Sequence, residues 1–445
     1  MRLLHTSDWH LGQSLHNFER SYEHQRFLDW LLDAIVSEQA DALLIAGDIF
    51  DNANPSAASQ KQLYRFLQQA KERAPHLNLI VIAGNHDSPG RLEAPGPLLQ
   101  AHGTRVIGSV QRTEDGEIDI ESMVLPLTGR TGAVEAWCLA VPFLRPGDVP
   151  RVPVAGAVEV SDGAEPVDGA AVDSSVAAVT AADSGEPDPA PAADPYLAGI
   201  ALLYRQALEL ALTKRQDGQA ILAMGHCHMV DDQMSNDSER RIVIGGTEML
   251  PAGIFDPAIA YAALGHLHLA QTVGKQQHIR YCGSPIPLSF AEVGYQHQIL
   301  RIDIEGAAIS KIEPLFIPRA VDLLRIPAKP ALLAQVLEEL AALEVPLPPA
   351  PSERQPFLEV RVLLDAPEPG LRSRIEEALE GKPVRLAKIE TSSAARDSSI
   401  DQDVMTLDQL EQLKPDDIFR QLYQQRFGSD APADQLSAFA ELMLS

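Results

Sequence analysis

The chain has 445 residues, with 36 Lys and Arg against 62 Asp and Glu, a formal net charge of -26. That length allows two or three domains and a substantial core, while 45% apolar and 22% charged residues exclude a wholly disordered chain. Taken alone, the acidic surplus argues against a nucleic-acid partner, because proteins that neutralise phosphates usually carry a basic one.

Residues 3–6 are a short apolar run that predicts a strand. Residues 19–39 place Phe27, Leu28, Leu31, Leu32 and Ile35 on one helical face, and Ala42–Ala46 reads as a second strand. Ser56, after Asn54 and Pro55, can cap a helix running to Arg73, and residues 78–83 predict a third strand. From Val152 to Tyr196 there are nine acids, no Lys or Arg, and no Leu, Ile, Phe, Met or Trp. Too little surface could be buried there to offset the ordering entropy, so 152–195 is expected to be a disordered insertion.

After it come a helix over 197–213 and apolar runs at 220–224, 261–264, 279–282 and 299–304. This alternation predicts a layered α/β domain over residues 1–318. A smaller unit over 319–389 reads as helix (331–343), Pro-rich turn (345–351), strand (357–364), helix (371–379) and strand (384–389). A polar linker, 390–406, leads to a tail, 407–445, with two amphipathic helices. The insertion carries -9 and the stretch from Asp397 to Ser445 carries -7, which leaves -10 for the other 351 residues. Most of the acidity is therefore local.

No run of about 20 apolar residues is present to span a membrane, and charged side chains come too early for a secretory leader. Cys138, Cys227 and Cys282 are odd in number and widely spaced, which points to a reducing compartment, so the cytoplasm is the expected location.

Five clusters follow or end apolar runs: Asp8-Trp9-His10, Gly47-Asp48-Ile49-Phe50-Asp51, Gly84-Asn85-His86-Asp87, Gly225-His226 and Gly265-His266-Leu267-His268. Loops beyond the strand ends of an α/β sheet collect ligands, and glycine lets the backbone turn sharply there. In an extended segment residues i and i+2 point the same way, so Asp8 with His10, and His266 with His268, can each offer two ligands to one side. One carboxylate can bridge two cations, the role expected of Asp48. Two divalent ions about 3.5–4 Å apart clamp a phosphoryl group and activate water. Carboxylate, amide and imidazole donors suit manganese or iron better than a thiolate-rich zinc site does.

The five blocks, in order, resemble the calcineurin-like metallophosphoesterase superfamily, whose pattern is D-x-H, G-D-x-x-D, G-N-H-D/E, H and G-H-x-H. Longer runs at residues 6–12, 23–32, 263–268 and 280–290 are similar to the bacterial DNA-processing nucleases of that superfamily. The resemblance implies a β-sandwich flanked by helices, a small α+β capping domain and a C-terminal helical tail. It implies that Asp8, His10, Asp48 and His268 hold one Mn2+ and that Asp48, Asn85, His226 and His266 hold the other, with Mg2+ or Fe2+ as alternatives. His86, beside Asn85, would protonate the leaving oxygen or stabilise transition-state charge. Asp51 would orient His86 and raise its pKa. A long coiled-coil SMC-like ATPase docked on the tail, DNA as substrate, and a homodimer within a heterotetramer are the implied partners.

The activity expected is duplex exonuclease and single-strand or hairpin endonuclease cleavage in DNA repair, recombination and replication. A phosphomonoesterase or cyclic-nucleotide phosphodiesterase would use the same ions but would need neither cap nor docking tail. A non-enzymatic scaffold would be expected to lose ligands, and here each position is filled. His16, His24, His76, His102, His278 and His297 are assigned to packing. His228 is a weaker candidate than His226, Cys227 reads as a small buried residue, and Asp87 either supports the ligands or closes its turn.

Overall fold

The computed structural model describes residues 1–150, 194–229, 250–345, 352–364, 368–393 and Tyr423. The insertion up to residue 193, the turn after residue 345, the linker after residue 393 and the tail helices, Tyr423 apart, lie outside the described residues.

Strands Arg2–Thr6, Ala42–Ala46, Asn78–Ile82 and Thr104–Ile107 lie side by side and parallel. Gln298–Glu305 and Ala308–Phe316 extend this sheet antiparallel beyond Arg2–Thr6, making six strands. A second six-stranded sheet has the order Gln271–Val273, Gln276–Tyr281, Tyr261–Gly265, Ala220–His226, Val134–Ala140, Val124–Thr128. Its four central strands are parallel.

The central strands are apolar on both faces because both faces are covered. Leu3, Leu44 and Ile80 of the first sheet meet Leu222, Met224 and Ala263 of the second in a shared core. One residue along, Leu4, Leu43, Ile45, Leu79 and Val81 point the other way, onto helices Ser21–Ser37 and Ala57–Arg73. Helix Pro195–Lys214 covers the second sheet through Leu203, Ala207 and Ala211. The molecule is therefore a helix, sheet, sheet, helix sandwich of the α/β class.

Two helix starts follow the capping rules. Ser56 accepts the Ser59 N–H at 3.1 Å, and Asp194 accepts the Tyr196 N–H at 2.8 Å ahead of Pro195.

A third sheet holds Leu323–Leu332, Phe357–Leu364 and Arg385–Ser393 in parallel, with Phe357–Leu364 in the middle. Helices Leu333–Ala342 and Leu371–Ala378 pack on it through Val336, Leu340 and Ile375. The strand Leu323–Leu332 is not evident from the sequence, since it contains Pro327 and Pro330. It lies at the sheet edge, where a missing N–H is tolerated.

Candidate metal centre

All five Asp, Asn and His clusters sit at the same end of the two sandwiched sheets, beyond the C-terminal ends of Arg2–Thr6, Ala42–Ala46 and Asn78–Ile82 and at the ends of Ala220–His226 and Tyr261–Gly265. The loops are bound to each other by main-chain contacts. The Asp8 N–H donates to the Gly47 carbonyl and the His10 N–H to the Asp48 carbonyl, each at 3.0 Å, while the His266 N–H donates to Asp8 Oδ1 at 3.0 Å.

Among the described residues seven non-glycine residues have positive φ, and four of them are Asp8 (54°), His10 (45°), Asp48 (50°) and His266 (108°). Such conformations cost on the order of 1–3 kcal/mol each and persist where the surroundings over-determine them. Close backbone approach requires glycine at two points, one between the sheets and one between neighbouring loops of the first sheet. A methyl group at Gly265 would overlap the Ala46 carbonyl oxygen, and one at Gly84 would overlap the main-chain nitrogen of Asp48.

Three sets of ligand atoms lie within 4.8 Å of one another: Asp8, His10 and His268; His10, Asp48 and His86; and Asp8, Asp48 and His226. Asp8, His10 and Asp48 each belong to two sets, so the sets overlap like two neighbouring sites. Asn85 Oδ1 joins His226 Nε2 at 3.0 Å to His266 Nδ1 at 3.1 Å.

The hydrogen positions favour a cation. His226 Nδ1 lies 2.8 Å from the Ala46 carbonyl, which can only accept, so Nδ1 carries the proton. Its Nε2 then faces two further acceptors, Asn85 Oδ1 and Asp48 Oδ2 at 3.4 Å. A lone pair aimed at two oxygens needs a positive centre among them, either a second proton or a metal ion. Both ring nitrogens of His10 are buried without a hydrogen bond, and bound metal would satisfy one of them. The donor set of carboxylate, amide oxygen and imidazole fits a divalent ion.

The buried charges act directly on one another. Burial alone would raise Asp48, yet His226 and His10 hold its carboxyl far below the usual range. Burial would lower His226, but Asp48 lifts it to about 9. Asp8 is raised by burial, with the neighbouring Asp48 acting in the same direction. His266 is pushed well down by burial and by His226.

His86 is half-buried, unlike the buried imidazoles of His10, His226, His266 and His268. Its N–H donates to Asp48 Oδ1 at 2.9 Å, and its Nδ1 lies 2.7 Å from the carbonyl of Asp51. That contact is made by the main chain of Asp51; the Asp51 carboxylate lies 3.5 Å from His10 Nδ1. Asp87 accepts the N–H groups of Gly84, Ile49 and Phe50, so it closes its own turn and also fixes the loop after Asp48. Burial and the Asp48 charge raise it to about 6. His228 and Cys227 belong to none of the three ligand sets, and the His228 ring lies 6.0 Å from that of His266.

Two residues outside the five clusters support the ligands. Glu292, fully buried, faces His268 Nδ1 at 3.1 Å. Ser7 donates to Asp8 Oδ2 and lies 3.1 Å from Cys282 Sγ. For Glu292, only its place within an otherwise apolar turn could have marked it.

Sandwiched sheets with such a cluster at their strand ends define a calcineurin-like phosphoesterase, and residues 1–122 match the family of that description. Residues 319–427 match a family described as type 5 capsule protein repressor C-terminal domain. The chain is 38% identical over 388 residues to the SbcD component of nuclease SbcCD from Rhodobacter capsulatus, covering 87% of this chain and 86% of the relative. Over 398 residues it is 30% identical to the SbcD component of the same nuclease from Escherichia coli K12, with 89% and 86% covered. The Bacillus subtilis counterpart is 33% identical over 68% of this chain and 66% of its own length. The chain belongs to the SbcD family.

Proposed function

We propose that this chain is a DNA nuclease subunit that hydrolyses phosphodiester bonds at two Mn2+ ions, acting with an SbcC-type SMC-like ATPase. The observation that carries the reading is the overlap of the ligand sets, with Asp48 inside two of them. Asp8, His10, Asp48 and His268 would hold one ion and Asp48, Asn85, His226 and His266 the other. Bound there, the ions would polarise the phosphate and lower the pKa of the attacking water.

The chain's own residues supply the rest. His86, half-buried at the edge of the cluster with Nδ1 turned to the Asp51 carbonyl, would use Nε2 to protonate a leaving oxygen. Asp87 and the glycine turns hold the ligand loops in place before substrate arrives. Residues 319–389 form the proposed capping domain, and the 407–445 tail is the proposed seat of the ATPase. A homodimer within a heterotetramer and a cytoplasmic location complete the proposal. Among the described residues no helix is long and apolar enough to cross a membrane.

The test uses the intact chain with its ATPase partner, linear duplex DNA and Mn2+. Wild type should bind two Mn2+ per chain and cut. His86→Gln should bind the same number while cleavage falls by about 100-fold or more, the usual worth of a proton donor. Hydrolysis of a small chromogenic phosphoester with none of DNA would point instead to a phosphomonoesterase.

A further inference from the structure

The short 3-10 turn Phe290–Gly294 joins two parts of the molecule that the sequence keeps far apart. On one side, Phe290 and Val293 pack with Leu15, Val321, Leu323 and Phe357. The last three lead into or belong to the third sheet, so the turn is part of the joint on which that sheet rests. The joint is also pinned by charge: the Arg20 guanidinium lies 5.7 Å from the Phe357 ring centre, and the Arg385 guanidinium lies 5.7 Å from that of Phe18. On the other side the same turn carries Glu292, which is fully buried. Its Oε1 lies 3.1 Å from His268 Nδ1, and its Oε2 accepts the Leu288 N–H at 2.7 Å.

A buried carboxylate can remain charged at low cost only when its oxygens are satisfied, and these two contacts satisfy one each. Because the carboxylate accepts, His268 carries its proton on Nδ1 and offers Nε2 toward Asp8 and His10. The carboxylate therefore fixes both the tautomer and the ring plane of His268. A second path reinforces the first: the Gln13 amide donates to the Leu288 carbonyl at 2.8 Å, and the buried Arg20 guanidinium donates to Gln13 Oε1 at 3.0 Å.

We propose that Glu292 is the positioning residue for His268, and that the Phe290–Gly294 turn transmits the seating of the third sheet to the metal centre. This rests on the reading of His268 as a metal ligand. A shift of the third sheet would move Phe290 and Val293, and Glu292 with them, because one turn of 3-10 helix is too short to absorb it. Packed interfaces of this kind rearrange as units rather than deforming continuously.

Mn2+ affinity of the metal-free full chain, read by calorimetry beside its melting temperature, tests the proposal. Glu292→Ala is expected to weaken Mn2+ binding by about 10–100-fold, the usual effect of removing such a support. Glu292→Gln keeps one acceptor and should fall between Glu292→Ala and wild type; it also serves if the alanine variant does not fold. Val293→Ala, which touches no ligand, should weaken binding in the same direction but less. Wild-type affinity in Glu292→Ala overturns the proposal if His268→Ala loses metal, and wild-type affinity in Val293→Ala overturns the link to the third sheet. Wild-type affinity in His268→Ala would instead remove the ligand assignment on which both depend.

Discussion

His5 sits between the two sheets, its Nε2 3.1 Å from the Leu264 carbonyl and its Nδ1 2.9 Å from the Tyr261 hydroxyl. The carbonyl can only accept, so Nε2 carries the proton and Nδ1 accepts from the tyrosine. Burial pushes the imidazole down to about 3, against the lift from the Leu264 carbonyl. The unfolded chain then binds this proton more readily than the folded one. Stability from the neutral ring is complete above about pH 6.5 and is lost as the pH falls toward 3. At pH 5 the loss from this one group is about 2 kcal/mol. His5→Gln, whose amide can both donate and accept but does not titrate, should show a flatter fall of the urea midpoint between pH 7 and 5. Parallel falls in the two proteins would mean that His5 is not the titrating group. At this scale the motif spacing carries a great deal: Asp8, His10, Asp48, Asn85, His226, His266 and His268 are all brought to one end of the sandwich. A support such as Glu292 is invisible in the sequence because its meaning lies in a neighbour 24 residues away, and no local pattern encodes that; Ser7 lies within the run 6–12, beside the Asp8 that it supports.

The elements meet most tightly where Tyr261–Gly265 crosses Ala42–Ala46, because Gly265 lies against the Ala46 carbonyl. Relief would require the sheets to part at the end that carries the ligands. Gly265→Ala is therefore expected to destabilise the fold by about 1–3 kcal/mol, the usual cost of overpacking, and to weaken metal binding as Asp48 and His266 separate. Urea unfolding of the metal-free chain and Mn2+ calorimetry read the two effects; an unchanged midpoint would show that the sheets yield freely there. Most of the central strands and the long helices are legible in the sequence because burial on both faces, or on one helical stripe, leaves a clear period; Val134–Ala140, central in the second sheet, is the exception, with Glu135 and Trp137 only half-buried. Ala42–Ala46 and Phe357–Leu364 are expected with the bounds observed. Thr104–Ile107, Val124–Thr128, Ala308–Phe316 and Leu323–Leu332 are not, and all four are edge strands. An edge strand has one neighbour, tolerates proline and polar residues, and so carries a weaker pattern.

For the whole molecule, the charge of -26 is a statement about where the acids lie more than about the sandwich. The insertion departs after Pro150 and returns at Asp194, the capping residue of helix Pro195–Lys214. The Pro150 carbonyl lies against Gly199 in the second turn of that helix, so the two ends are close and a short Gly-Ser link can replace what lies between. Deleting residues 152–193 removes eight acids and no base, bringing the net charge to -18, and it leaves the Asp194 cap in place. Since none of the clusters at the strand ends falls in that stretch, Mn2+ stoichiometry and nuclease activity with the ATPase partner should be retained. Association of the isolated subunit with duplex DNA should be tighter at low salt, because less like charge repels the phosphates, and the gain should vanish as ionic strength rises. Titrating labelled duplex at several salt concentrations measures this directly. A loss of cleavage in the shortened chain would assign the insertion a part in the reaction, and an affinity unchanged at low salt would show that its charge never faces the DNA.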